Sequence, residues 1–156
     1  MLWAFVRFIA KILPASDKRR LGDGNLALVA SLTAVFMAAV HLMILWVATT
    51  PGAVITKPIF LLLGAFFIAL GLIMPRLKRN PVVGIRTAWT LRSGENWART
   101  QRIGGYSMVV GGIVAGLSGA FGGPTGGVVA IVSMLAAGIV PAIYSLLLAR
   151  RLDPKG

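Results

Sequence analysis

Four stretches of this chain, 25–48, 58–75, 103–121 and 128–148, are long, apolar and free of formal charge at neutral pH. A helix rising about 1.5 Å per residue needs about 20 residues to cross a hydrocarbon core, so each stretch is expected to span a membrane. With 57% hydrophobic residues among 156, the chain carries more apolar surface than a soluble domain of this size can bury. The expected fold class is therefore an all-α integral membrane protein with four transmembrane helices. Residues 1–24 stand apart as an N-terminal segment and basic loop, and residues 25–156 form the membrane domain.

Between the second and third spans lies the one long polar segment, Asn80 to Arg102, NPVVGIRTAWTLRSGENWARTQR. The first thirteen residues, MLWAFVRFIAKIL, are too short to span and carry Arg7 and Lys11 on one helix face. They read as an interfacial amphipathic helix, or as the end of a span lying upstream. Trp46 fits an aromatic anchor at the membrane interface, and Pro58 an early helical position. Pro75 helps to end the second span, and Pro141 is expected to bend the fourth near Ala137 and Gly138. The third span is rich in glycine, with small residues spaced four apart such as Gly112 and Gly116. That spacing lets neighbouring backbones approach closely, so this helix is expected in the middle of the bundle. It is also the surface on which an oligomer could form. Residues 122–127, GGPTGG, read as a tight turn.

The net charge is +12, yet the basic residues flank apolar runs, which points to topology and anionic lipid headgroups. No separate basic domain suggests direct nucleic-acid binding. Basic residues collect in the N-terminal segment, the 76–102 region and the tail, and of the sixteen only Lys57 falls in an opposite loop. Four spans place those three regions on one side, and the excess of positive charge puts both termini and the polar loop in the cytoplasm. Cysteines are absent, and one histidine with four acids leaves too few ligands for an ordinary metal site. No cofactor, metal or catalytic set is expected, because a single acid in the loop supplies no paired general acid and base.

Within the loop, Asn80-Pro81 and Gly84 are turn formers. Ser93 is a good helix N-cap, with Glu95 in the first turn and Arg99 four residues on. A helix is expected from about Gly94, lying at the interface and running into, or bending into, the third span. Arg86, Glu95, Arg99 and Arg102, with Thr87, Thr90 and Asn80, could form a hydrogen-bonded cluster in which arginine forks hold an anionic group. The plainer account is a membrane-surface helix, with Trp89 and Trp97 at headgroup depth. His41 is the only ionisable side chain within a span, so it is a candidate for proton relay or sensing, against a neutral histidine bonded to a neighbouring helix. Ser118, Ser133, Tyr144 and Ser145 read as interhelical hydrogen-bonding groups.

Asn80, Gly84-Ile85-Arg86-Thr87, Thr90-Leu91, Ser93, Glu95, Trp97, Thr100 and Arg102, followed by a glycine-rich span, resemble the signature of the SdpI family of bacterial immunity membrane proteins. Gln101 stands where that pattern leads one to expect asparagine or histidine. Full-length members carry a preceding region with more spans, and residues 2–20 resemble only its last part, leaving open a shortened member, a truncated chain or a later start codon. The resemblance implies a multi-pass protein of the bacterial cytoplasmic membrane that gives immunity to a peptide toxin. It also implies signalling, through capture of a cytoplasmic repressor protein at the membrane. A small transporter or channel component, with His41 and Pro141 lining a path, is the alternative. A lipid-headgroup-binding protein or membrane enzyme using Arg86, Glu95 and Arg102 is the third.

Overall fold

The structure, a computed structural model, describes residues 24–80, 82–121 and 123–152. Expectations for the amphipathic N-terminal segment and the extreme tail lie outside those residues. Among the described residues five α-helices follow in order: α1 (Gly24–Thr49), α2 (Thr56–Ile73), the short α3 (Ala88–Arg92), α4 (Gly94–Phe121) and α5 (Gly123–Leu152). Four of them are long and apolar enough to cross a membrane, and no strand is present among the described residues. The all-helical, four-span architecture read from the sequence is the one found.

The centre of the bundle is α4, packed between α2 and α5, and glycine is the reason. Gly64 and Gly71 on α2 meet Gly112 and Gly105 on the antiparallel α4. A Cβ placed on Gly64 would stand 2.5 Å from the Gly112 carbonyl oxygen, and one on Gly112 would stand 2.6 Å from that of Gly64. Gly71 and Gly105 repeat the relation one heptad away, at 2.7 and 2.6 Å. On the other side Gly111 admits α5, where the Ser133 hydroxyl donates to the Gly111 carbonyl at 3.2 Å. Lipid tails offer no hydrophobic drive for helices to associate, so such backbone approach supplies the packing. Ser133 is thus an interhelical donor as expected, whereas Ser118 bonds back to Val114 in its own helix.

The first span is peripheral. Of its most apolar window 6% is buried, against 44% for α4, and it leans on α2 through a stacked pair, Phe36 and Phe66, with ring centroids 4.2 Å apart. At its start the Asn25 side-chain amide donates to the Arg76 carbonyl.

Boundaries differ from the expected ones in two places. The third span begins nine residues early, because the Gly94 helix and the 103–121 span are one unbroken helix. At about 1.5 Å per residue, its 28 residues exceed a hydrocarbon core of about 30 Å, so its first turns project beyond it. The GGPTGG turn is shorter than expected. Gly123, with φ +58°, already opens α5, and proline is compatible with a first helical turn, where its missing N–H leaves no bond unmade. Pro141 sits inside α5, which is helical from Gly123 to Leu152, and its ring is fully buried.

The second span ends as Pro75 enters a 3-10 turn, Met74–Arg76, after which Leu77 is extended. Hydrogen bonds from Asn25 to Arg76, Asn96 to Ser145 and Thr87 to Ser145 show that the start of α1, the 76–102 region and the end of α5 share one end of the bundle. Lys57 begins α2 at the other end.

Candidate functional site

Asn80 starts the loop that closes the basic end. Its side-chain oxygen accepts the backbone N–H groups of Val82 and Val83 at 2.9 and 2.8 Å, and its amide donates to the Lys78 carbonyl. This local mimicry of a backbone turn reverses the chain and directs it under the bundle. Gly84 follows at φ +113°, a left-handed conformation that costs glycine little.

What holds the next residue is Gln101, on the second turn of α4 and fully buried. Its Oε1 accepts the Ile85 N–H and its Nε2 donates to the Ile85 carbonyl, both at 3.1 Å. A primary amide presents one donor and one acceptor side by side, so it pairs with a main-chain residue as a neighbouring strand does. Gly84 has a second reason to be glycine, since a Cβ there would lie 3.0 Å from the Gln101 amide.

Thr87 and Thr90 then build α3 with a reciprocal capping box. The Thr90 N–H donates to the Thr87 hydroxyl oxygen at 3.1 Å, and the Thr87 N–H donates to the Thr90 hydroxyl oxygen at 2.9 Å. The Thr90 hydroxyl in turn lies 3.0 Å from the Ile85 carbonyl, which is also Gln101's acceptor. Thr87 reaches the buried Ser145 hydroxyl on α5 at 2.6 Å. Asn96 donates to the Ser145 carbonyl at 2.9 Å and accepts from the Thr100 hydroxyl at 2.9 Å. Ser93 caps α4 as expected, its hydroxyl oxygen accepting the Asn96 N–H. Trp97 is 3% exposed; it packs on Ile73, Met74 and Leu77 and donates its indole N–H to the Leu77 carbonyl at 2.8 Å. Among the described residues, no buried side-chain nitrogen or oxygen is left without a partner.

The expected cluster is therefore two separate things. Thr87, Thr90, Ser93 and Thr100 do come together, joined by Asn96, Gln101 and Ser145, in a network with no charged side chain, while Asn80 bonds only within its own turn. Arg86 and Arg102 stay outside it, exposed. Glu95 pairs with Arg99 at 2.7 Å on the surface of α4, both half-exposed. Burying several guanidinium groups around one carboxylate would cost more desolvation than their attraction returns, whereas neutral amides and hydroxyls are satisfied by short bonds. Trp97 is a buried structural residue and not a headgroup anchor, whereas Trp89 is 39% exposed. His41 is exposed on α1 and its Nδ1 lies 2.9 Å from the Met37 carbonyl of the same helix; among the described residues no bond from it to a neighbouring helix is found.

Asn96 and Gln101 were missed as site residues, and the helical stripe could have found them. Positions 104, 105, 111, 112, 115, 116 and 119 are the buried face of α4. Stepping back by three and four residues gives 100, 101, 97 and 96, the polar continuation of the same face.

Above the loop lies an apolar cavity of about 360 Å³, walled by α1, α2, α4 and α5 and including Val29, Phe67, Met108 and Met134. Val83, Gly84 and Ile85 form part of its lining. Ile85 thus lines a space within the bundle, while the adjacent Arg86 is exposed.

Compared with known proteins, residues 76–145 match the model of the SdpI/YfhL protein family. That span takes in the loop, α3, α4 and α5 as far as Ser145. No curated protein and no solved structure matches the chain.

Proposed function

From the premise that the 76–145 region of this chain belongs to the SdpI/YfhL protein family, we propose that the protein is a non-enzymatic immunity and sensor protein of the bacterial cytoplasmic membrane. It protects by binding a peptide toxin or another membrane perturbant, and its loop passes the bound state to a cytoplasmic regulator. The observation that supports this reading is the two-sided loop. Ile85 lines the apolar cavity, Arg86 beside it is exposed, and the main chain between them is held by the Gln101 amide. An apolar segment entering beside the loosely attached α1 displaces Ile85, strains the amide pairing and moves Arg86, with Trp89 and Arg102 on the same end, where a repressor protein docks.

The test is protection against the cognate toxin in cells that carry Arg86→Ala with Arg102→Ala at normal protein levels. Both side chains are exposed, so folding is spared and the loss of signalling or protection is attributable to the surface. Full protection and unchanged signalling in these cells, and in Ile85→Ala cells, would sink the reading. A binder also predicts no ion or solute flux in liposomes, from the wild-type protein or from His41→Ala.

A further inference from the structure

A second recess, of about 460 Å³, lies where α3, the start of α4 and the end of α5 converge. Arg92, in the last turn of α3, and Arg150, in the last turn of α5, both line it. The chain folds so that two arginines from distant elements line one hollow. Glu95, the one carboxylate among the described residues, belongs to a neighbouring recess and is held by Arg99. Asn96, on the wall, has its amide committed inward to Ser145 and Thr100. The ligand-directed chemistry left in the recess is two arginines on a lining that also includes Trp89, with Leu152 as an apolar member. The first turn of the long helix α4 also opens there through Ser93, adding the positive end of its dipole.

The geometry points to a phosphate-binding site in this recess, filled either by the headgroup of an anionic phospholipid or by free phosphate. Guanidinium groups take phosphate oxygens through paired, charge-assisted bonds, and tryptophan favours headgroup depth. This recess shares no lining residue with the Ile85 cavity.

Native mass spectrometry of the purified protein in neutral detergent tests it. Phosphatidylglycerol is added in one arm, diacylglycerol with the same chains in a second, and inorganic phosphate in a third, alone and as competitor. Phosphatidylglycerol is expected to be retained and diacylglycerol not. Arg92→Gln with Arg150→Gln should weaken retention at least about tenfold. Arg76→Gln with Arg151→Gln removes two charges from the same end but outside the recess, and should change it less than about threefold. Displacement by inorganic phosphate assigns the site to free phosphate; resistance assigns it to the lipid. Equal losses in the two double variants, or retention of diacylglycerol as strong as that of phosphatidylglycerol, overturn the site. Should the Arg92 and Arg150 double variant fail to give a monodisperse protein, Arg150→Gln alone carries the test, with a several-fold loss expected.

Discussion

Gln101 and Gly84 act as one device. The glutamine amide grips both polar groups of Ile85, and glycine leaves room for it. Gln101→Leu keeps the bulk but leaves the Ile85 N–H without this acceptor, which should cost about 1–3 kcal/mol. Gly84→Ala introduces a Cβ at φ +113° against that amide, at a cost of about 1–3 kcal/mol from the backbone alone. Arg86→Ala, on an exposed side chain, should stay within about 0.5 kcal/mol. Unfolding in mixed micelles would rank the three, and a Gln101→Leu protein as stable as wild type would remove the amide pairing from the account. The split between them explains what was legible at this scale. Capping by Ser93, the Glu95–Arg99 pair and the turn at Asn80 follow from local spacing, and all three form. The sorting of neutral groups inward and arginines outward depends on which face of α4 is buried, and charge alone points the other way. A glutamine in place of an expected asparagine or histidine looks like a weakness in the motif until its reach to Ile85 is measured.

At the scale of elements, α4 sets the positions of everything else. Its buried residues run from Asn96 to Ala120, polar where they meet the loop and glycine-rich where they meet α2 and α5. Close approach to α2 is reciprocal at Gly64 and Gly112, so neither helix can yield for a side chain on the other. Gly112→Leu should therefore separate α2 from α4 and abolish the compact fold, read as loss of a monodisperse species and of resistance to detergent unfolding. Gly138→Ala is the matched control. A Cβ there meets nothing within 4 Å, and replacing a mid-helix glycine should be neutral or stabilising by up to about 1 kcal/mol. The central place of this helix was legible because glycine at small-residue spacing has one main use in a membrane. The fusion of interfacial helix and span into one rod was legible only in part. The sequence changes from polar to apolar at Ile103, but helix propensity and the buried stripe cross that point without a break.

For the whole molecule, the structure gathers the basic groups of the described residues at one end and leaves Lys57 at the other, with α1 joined to that basic end through Asn25 and Arg76. The side of the membrane is then set by charge. Lysine and arginine near span ends tend to be retained in the cytoplasm, so the proposed function carries the prediction that the loop end faces the cytoplasm. The chain contains no cysteine, so single reporters can be introduced without removing any native thiol. Arg86→Cys and Lys57→Cys both alter exposed positions, and neither replaces a residue of the buried network. In intact spheroplasts, a membrane-impermeant maleimide should label Lys57→Cys, and should label Arg86→Cys only after the membrane is opened. The reverse pattern would place the loop outside the cell, where no cytoplasmic repressor could read Arg86 and Arg102. That result would leave the bundle, the Gln101 pairing and the phosphate recess as they stand, since each rests on contacts within the chain. It would remove the signalling half of the proposed function, which is the part that depends on the direction in which the bundle crosses the membrane.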